Sequence, residues 1–311
     1  MRIRQLTGCA AFIAAQVAAL AVAGGAWAQQ PEAADPSLDA IRSAASAMVR
    51  GSNPERLEVL KSQLDAAGVP YSLHAFEGGN QRTGPMAGNN VVITLGEGDK
   101  DIVLTAHYDA AVLRDGAFSH GVVDNAGGTL AVLMAAKALP VSSLKHRIVV
   151  VLTDQEELGL IGARKWLEQT DKSRIAAAIN VDVAAYGRTV MYGLNNGEAS
   201  RGLVRDLRVH CAERDVDCVA FPVYPPSEDR VFTAANLPVL SLGIQNPVGA
   251  RQMWLAFNGG EDNGLRDGFV PDVFQNIHTH EDTLDKLNPA DVAAFADFLT
   301  QLVVRIDGTQ P

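Results

Sequence analysis

Glu156 and Glu157 stand side by side, four residues after the end of the apolar run 148–152. Two adjacent carboxylates at the end of a buried strand repel each other unless a cation binds them. Zn²⁺ is a suitable cation, because one carboxylate can ligate it while its neighbour, on the other side of the backbone, accepts a proton from water. A solvated loop that contains two glutamates is the alternative, and it is the better one for this pair alone. With a metal, the pair is typical of a hydrolase.

A second candidate lies upstream, where the short apolar run 101–106 ends in His107-Tyr108-Asp109. Residues i and i+2 of an extended chain share a face. Asp109 can therefore accept a hydrogen bond from the ring nitrogen of His107 that is not on a metal, which would fix the tautomer of the imidazole.

Further acids and histidines follow similar patterns. Asp124 precedes the helical run 129–139, Asp182 ends the apolar run 176–181, and His278 and His280 precede the last helix. Each is ordinary alone, since Asp is common as a helix cap or in a turn, and a single His is usually a satisfied surface or core residue.

Their order along the chain is His, Asp, Glu-Glu, Asp, His, and we expect the first four at the carboxyl ends of apolar strands. Open α/β sheets place their sites at that edge. Two imidazoles and three carboxylates favour Zn²⁺ over Mg²⁺ or Ca²⁺, which prefer oxygen ligands throughout. The set therefore predicts a zinc site.

From His107 to the C-terminal helix the sequence resembles the co-catalytic dizinc aminopeptidases, the metallopeptidase family that also holds glutamate carboxypeptidases and glutaminyl cyclases. The resemblance implies two zinc ions per chain. It implies His107 and Asp182 on one zinc, Glu157 and His278 on the other, Asp124 as the bridge, Glu156 as general base, and Asp109 as the residue that orients His107. It also implies a cis peptide bond after Asp124.

Two positions need comment within this resemblance. The family ligand is the His of a His-Thr-x-x-Asp-Thr pattern, here residues 278–283, so His278 is preferred to His280. Many members carry Ser-Asp-His before a Phe, and counting back from Phe232 places Asp229 where that His is usual. This departure leaves substrate specificity open.

The N-terminus predicts export. Arg2 and Arg4 precede an Ala-rich apolar stretch, and Ala26-Trp27-Ala28 offers a cleavage site. We expect a signal peptide over residues 1–28 that is cleaved near Ala28, and a periplasmic or extracellular protein without a stable membrane anchor.

Charge and cysteines add two constraints. Removal of residues 1–28 takes away two Arg and no acid, so the formal charge of -10 becomes (26 - 2) - 36 = -12, which argues against a nucleic-acid partner. The mature chain keeps Cys211 and Cys218. They could close a small disulfide in an oxidising compartment, with free buried thiols as the alternative.

The remaining pattern predicts one catalytic domain over residues 29–311 and an α/β fold, a three-layer α/β/α sandwich with a mixed, mostly parallel central sheet. We predict strands at 70–75, 90–95, 102–107, 147–153, 176–182 and 239–244. We predict helices at 38–49, 54–67, 129–139, 161–169, 200–211 and 289–306. Residues 245–276 show little pattern, and we expect them to form an irregular loop that walls one side of the site.

These observations predict a secreted zinc exopeptidase, an aminopeptidase that acts on peptide substrates. A glutaminyl cyclase-like transferase with one zinc would share the fold and most ligands. A dizinc carboxypeptidase or deacylase with an inserted dimerisation domain has little room between Asp182 and His278. A non-catalytic binding ectodomain is a third alternative, which the complete ligand set disfavours. The sequence predicts no oligomeric state.

Overall fold

One mixed sheet organises the chain. The computed structural model describes residues 36–260 and 269–310, which belong to the unit Asp35–Pro311, and the predicted signal peptide lies outside them. The sheet contains eight strands: β1 (Ser72–Asn80), β2 (Gly84–Leu95), β3 (Asp101–His107), β4 (Arg147–Thr153), β5 (Ile175–Val181), β6 (Thr189–Gly193), β7 (Cys218–Phe221) and β8 (Val239–Gln245).

The strand order is β1-β2-β4-β3-β5-β8-β6-β7. The pairs β3/β4, β3/β5, β5/β8 and β6/β7 are parallel, and the other three neighbouring pairs are antiparallel. Strands β4, β3 and β5 are adjacent and parallel, so their carboxyl ends meet at one edge. His107 ends β3 opposite Thr153, and Asp182 directly follows β5.

Helices cover both faces of this sheet. The described helices are α1 (Pro36–Met48), α2 (Asn53–Ala66), α3 (Gly127–Ala138), α4 (Ile161–Gln169), α5 (Arg201–Glu213), α6 (Asp229–Ala234), α7 (Pro247–Asn258), α8 (Asp272–Asn276) and α9 (Pro289–Thr309). Alternate residues of β4 enter two separate cores, as expected for a strand covered on both faces. Ile148, Val150 and Leu152 pack in the core shared with α3 and α9, whereas Val149 and Val151 pack with Trp166 of α4. The three-layer prediction is confirmed.

Local signals set the helix starts that the sequence predicts well. Ser52 accepts a hydrogen bond from the Glu55 backbone N–H at 3.4 Å and caps α2. Asn288 caps α9 by accepting from the N–H of Ala290 at 3.1 Å. Pro lies in the first turn of each helix, at the second residue of α2 and the first of α9, where its missing N–H costs nothing.

The prediction of an irregular segment over 245–276 is wrong for its described part. Asn246 accepts a hydrogen bond from the Gly249 N–H at 2.8 Å, and this cap starts α7 at Pro247. Ala250 and Met253 of α7 are buried in the core, and α8 follows at residues 272–276. Strands β6 and β7 and helix α6 are also absent from the predicted elements. All three are short, with six residues or fewer, which leaves little periodicity to detect.

The two mature cysteines are joined. Cys211 of α5 and Cys218 of β7 form a disulfide with Cα atoms 6.2 Å apart, which confirms the prediction that they bridge. None of the described helices is both long and apolar enough to cross a bilayer.

Candidate metal centre

Five predicted ligands converge at the edge where β3, β4 and β5 end. His107, Asp124 and Asp182 form one group of donors, and Asp124, Glu157 and His278 form a second. Within each group the donor atoms lie within 4.8 Å of one another. The groups share Asp124, so residues spread over much of the chain form one continuous cluster.

The contact distances define how the cluster is arranged. His107 Nε2 lies 2.9 Å from Asp124 Oδ1 and 3.4 Å from Asp182 Oδ1. His278 Nε2 lies 3.0 Å from both Asp124 Oδ2 and Glu157 Oε2. Asp124 therefore directs one carboxylate oxygen to each histidine. His107 is fully buried, whereas the His278 side chain is 56% exposed, so the cluster opens to solvent on the His278 side.

His107 is held from two directions. Thr129 of α3 donates a hydrogen bond to the His107 carbonyl at 2.8 Å. Asp109 places Oδ1 3.4 Å from His107 Nδ1, on the side of the ring away from Asp124. The ring therefore faces Asp124 and Asp182 with Nε2.

Asp109 has a second contact that the sequence does not reveal. Its Oδ1 accepts from the Glu156 N–H at 3.1 Å, and its Oδ2 accepts from the Glu157 N–H at 3.2 Å. One buried carboxylate thus ties the end of β3 to the loop after β4. This fixes the two glutamates relative to His107.

Asp124 lies in a tight turn over Val122–Ala126, with a cis peptide bond between Asp124 and Asn125 as the family resemblance implies. Asp282 binds this turn from the far end of the chain. Its Oδ1 accepts from the N–H of Val122 and Val123 at 3.0 and 2.6 Å, and its Oδ2 accepts from Asp124 N–H at 3.2 Å. The Asp of the His-Thr-x-x-Asp-Thr pattern therefore positions Asp124.

Two corrections follow for Asp124. It does not follow a strand, and it does not cap α3, whose N-cap is Ala126 without a side-chain hydrogen bond. The helix instead begins at Gly127, where a Cβ would lie 2.7 Å from the Cα of Ala185. Glycine is required because α3 packs directly on the loop that carries Asp182.

Gln155 fixes the loop of the two glutamates. Its φ of +59° is uncommon for a residue with a side chain. The side chain is fully buried, accepts from the Gly79 N–H at 2.8 Å and donates to the Ala87 carbonyl at 3.2 Å. The loop is thereby attached to β1 and β2 as well as to Asp109.

Electrostatics show that the cluster favours positive charge. Contacts with Asp124 and Glu157 raise the pKa of His278 to about 11. Burial alone would lower the pKa of His107, but its contacts with Asp109, Asp124 and Asp182 outweigh burial and raise that pKa. Burial opposes ionisation of Asp124, yet the two histidines hold its pKa well below the usual range.

Glu156 and Glu157 differ in their surroundings. Glu157 contacts His278, and burial followed by the charge of Asp124 raises the pKa of Glu157 to about 7. The Glu156 carboxylate forms no hydrogen bond or ion pair within the described part of the chain. Burial, with the nearby charges of Glu228 and Asp182, raises the pKa of Glu156 well above its usual value. One glutamate is engaged in the cluster and the other is free beside it.

The donor set fits zinc. Four buried atoms of the predicted ligands have no hydrogen-bond partner of acceptable geometry among the described residues: Nδ1 and Nε2 of His107, Glu157 Oε1 and Asp182 Oδ1. Buried polar atoms are almost always satisfied, so His107 Nε2 and Asp182 Oδ1, which lie 3.4 Å apart, and Glu157 Oε1 in the second donor group indicate a ligand that the side chains are arranged to hold. Two imidazoles and three carboxylates suit Zn²⁺.

His280 lies outside this cluster. Its Nε2 pairs with Asp115 Oδ2 at 2.8 Å on the exposed surface. The geometry therefore places His278, and not its neighbour two residues later, beside Glu157.

The stretch in which the sequence departs from the family lies beneath the centre. Asp229 is fully buried and accepts from the Ser227 N–H at 2.9 Å. Glu228 is also fully buried, where it accepts hydrogen bonds from Ser227 Oγ at 2.7 Å and from Thr153 Oγ1. Sequence reasoning missed Glu228. The only available signal was its place beside Asp229 in a stretch aligned to a family motif.

Comparison with known proteins places this geometry in context. The sequence model of Peptidase family M28 matches residues 90–303. A probable glutamate carboxypeptidase of Arabidopsis thaliana is 33% identical over 110 residues, which cover 32% of this chain and 15% of that relative. The chain thus matches only a small part of the length of this curated relative.

Two solved structures share the fold. A glutaminyl cyclase of Porphyromonas gingivalis aligns with a TM-score of 0.67 and 14% identity, over 86% of this chain and 97% of its own. A Zn-dependent exopeptidase of Parabacteroides distasonis aligns with a TM-score of 0.65 and 15% identity, over the same shares of the two chains. These similarities support the predicted fold.

Proposed function

Because the chain belongs to Peptidase family M28, we propose that it is a secreted zinc-dependent exopeptidase, an aminopeptidase that removes N-terminal residues from peptides. Two zinc ions per chain would be held at the cluster. His107 and Asp182 would bind one ion, Glu157 and His278 the other, and Asp124 both.

The shared carboxylate of Asp124 carries this proposal. Its two oxygens lie 2.9 Å from His107 and 3.0 Å from His278, one on each side. A single-metal site needs only one of these contacts. The presence of both donor groups, with Asp124 in each, supports two ions per chain over one.

When bound, zinc polarises a carbonyl and lowers the pKa of water. The chain supplies the proton transfer. Glu156 is buried beside the cluster with a raised pKa and no hydrogen-bond partner in the described chain, so it can accept a proton from water and donate it to the leaving amine. Glu157, held by His278, is not free to do so.

Export is part of the proposal. Residues 1–28 would be removed as a signal peptide, which leaves residues 29–311 as the single catalytic domain in the periplasm or medium. The disulfide between Cys211 and Cys218 supports an oxidising compartment. N-terminal sequencing of the exported protein should begin at Gln29. An N-terminus at Met1 would reject this part.

The activity is tested with a substrate panel. Purified mature protein would be assayed on aminoacyl amides, on matched N-acetylated amides and on peptides with N-terminal glutamine. Each assay would be run after chelation and after stepwise zinc addition, with bound zinc measured in parallel. We expect cleavage of free-amine substrates only, loss of activity on chelation, and recovery that reaches a plateau at two zinc ions per chain.

Other outcomes would select the alternatives. Ammonia release from N-terminal glutamine with one zinc per chain would identify a cyclase. Zinc binding without turnover of any substrate would favour a binding ectodomain. Cleavage of the N-acetylated amides would contradict an aminopeptidase.

A further inference from the structure

Arg56 of α2 is an unusual residue in this fold. It is the largest fully buried side chain in the described chain, with 0% exposure. An arginine is almost never fully buried unless its charge is paired. No carboxylate among the described residues forms an ion pair with it.

The guanidinium instead binds four backbone carbonyls. Its Nε donates to Tyr108 at 2.6 Å, Nη1 donates to Met48 at 2.9 Å and to His120 at 2.8 Å, and Nη2 donates to Gly121 at 3.2 Å. These carbonyls belong to three separate segments. One planar fork therefore joins the end of α1, the end of β3 and the turn before Asp124.

Two of these segments carry the metal centre. Tyr108 lies between His107 and Asp109, and Gly121 directly precedes the turn that contains Asp124. The N-terminus of α2 makes a further contact there, since Asn53 Oδ1 accepts from the Ala110 N–H at 3.1 Å.

The charge of Arg56 is compensated from a distance. Burial lowers the pKa of Arg56 to about 10, and the carboxylates of Asp109, Asp282, Asp124 and Glu157 oppose that change. The group stays protonated at neutral pH. A fixed, buried positive charge therefore lies near the acidic cluster.

We propose that Arg56 is a positioning residue, which holds the His107 segment and the Asp124 turn at the separation that zinc binding requires. This inference rests on the proposed zinc centre. A second possibility is that Arg56 only stabilises the fold. The positioning role and the purely stabilising role differ in one respect: only the positioning role makes zinc affinity depend on the guanidinium and its four carbonyl contacts.

The test compares Arg56→Lys and Arg56→Met with the unchanged protein. Lys keeps the charge but loses the fork, whereas Met keeps much of the apolar stem and loses both. Zinc dissociation constants would be measured by competition with a chelator of known affinity. Thermal unfolding would be followed in chelator and over a series of zinc concentrations.

The matched control is Arg42→Met. Arg42 of α1 also donates to two carbonyls, those of Leu284 and Leu287 at 3.4 and 3.3 Å, but these lie six and nine residues after His278 and not beside a predicted ligand. We expect both Arg56 variants to bind zinc about 10- to 100-fold more weakly, the usual effect of losing a group that orients a metal ligand. Arg42→Met should bind zinc as the unchanged protein does.

The zinc-dependent rise in the unfolding temperature decides the role even if the variants are destabilised. Because a ligand stabilises the folded state according to its affinity, a positioning role makes this rise smaller in the Arg56 variants at equal zinc. An equal rise, or Arg56→Lys with the affinity of the unchanged protein, would overturn the inference. An Arg56 variant that stays unfolded at saturating zinc would also count against it. If the unchanged protein binds no zinc, the proposed function itself fails.

Discussion

The metal centre and the surface beside it are built in different ways. At the centre, His107 and Asp124 are buried although His278 is 56% exposed, and buried residues behind the cluster, such as Asp109, Asp282 and Gln155, hold its loops in place. The neighbouring surface, here called the wall, consists of residues 223–227, α7 and residues 270–276. It exposes apolar side chains: Val223 at 48%, Val248 at 62%, Val270 at 49% and Phe274 at 36%.

The wall adjoins the centre along the chain, since helix α8 ends two residues before His278. This difference between the fixed centre and the exposed apolar wall indicates that the two regions have different roles. Reactive groups need fixed geometry, whereas exposed apolar side chains suit contact with varied substrate residues. Disruption of the centre should therefore abolish turnover, and changes in the wall should alter substrate binding.

Replacement of each of the adjacent glutamates by Gln tests the centre most strongly. Glu156→Gln should retain zinc and the fold but lose about 10²- to 10⁴-fold in kcat, the usual contribution of a positioned general base. Glu157→Gln changes a proposed zinc ligand that contacts His278, so it should bind less zinc and recover part of its activity in excess zinc. Bound zinc and kcat measured on both variants are the readout.

Glu168→Gln is the matched control, since Glu168 is exposed on α4 and pairs only with Lys165. It should behave as the unchanged protein in both measurements. Normal turnover by Glu156→Gln, or loss of its zinc, would mean that the two roles are assigned wrongly.

Asp282 tests whether the centre depends on residues behind the ligands. Asp282→Asn replaces one acceptor oxygen by an NH₂ group, and each oxygen now accepts from backbone N–H groups of the Asp124 turn. We expect zinc affinity to fall about 10- to 100-fold, with far-UV circular dichroism unchanged. Asp285→Asn, on the exposed surface three residues later, should leave affinity as it is. Equal affinities in the two variants would contradict the positioning role of Asp282.

The pH dependence of the free energy of unfolding tests the buried carboxyls at and near the centre without any mutation. Burial raises the pKa of Asp154 and of Glu157 to about 7, and that of Asp282 to about 6. A carboxyl with a raised pKa in the folded state contributes stability below its unfolded pKa near 4 and loses it as pH rises through the folded value. His278 acts in the same direction, because the contribution of its raised pKa is complete below the unfolded pKa of about 6.5 and declines from there toward pH 11.

The metal-free protein should therefore unfold at a lower temperature at pH 8 than at pH 5, by about 5–10 °C for a chain of this size. Zinc should reduce this difference in unfolding temperature between pH 5 and pH 8, since it supplies a positive charge beside the ionised carboxylates. Thermal unfolding in chelator and in zinc at both pH values measures it. A metal-free protein that is more stable at pH 8 would contradict the buried-carboxylate account.

The contrast between the two regions also explains what the sequence could predict. His107 and Asp182 were found because each ends an apolar run, and Glu156 and Glu157 because two acids follow another. Arg56 was not found, since an arginine on an amphipathic helix is ordinarily a surface residue, and only the fold shows it buried among carbonyls. Helix α7 was missed although its start carries a readable signal, since Asn246 caps it and Pro247 is its first residue.

Phe274 tests the wall. It packs near Phe257, with ring centroids 6.1 Å apart, and stays partly exposed four residues before His278. Phe274→Ala should raise KM several-fold, up to about tenfold for an apolar substrate residue, because burial of one apolar side chain contributes about 1.5 kcal/mol or more. The value of kcat should change less than about twofold. The control is Val304→Ala, since Val304 is similarly exposed on α9, and it should leave both KM and kcat unchanged. A fall in kcat without a rise in KM for Phe274→Ala would mean that Phe274 acts in the chemical step and not in substrate binding.

The disulfide is expected to have the smallest effect on activity, because it anchors β7, the strand to which helix α7 of the wall is hydrogen-bonded. Cys218 begins β7, and Trp254 of α7 donates a hydrogen bond to the Ala220 carbonyl of the same strand at 3.0 Å. Replacement of both cysteines by Ser frees a closed loop of about eight residues and should cost about 2–3 kcal/mol in the free energy of unfolding. Zinc affinity and kcat should stay within about twofold, because the bridge joins α5 to β7 and neither element carries a predicted ligand. Denaturant unfolding, zinc competition and steady-state kinetics on the double variant measure the three quantities. A loss of zinc affinity would show that the two regions are coupled more tightly than their separate construction implies.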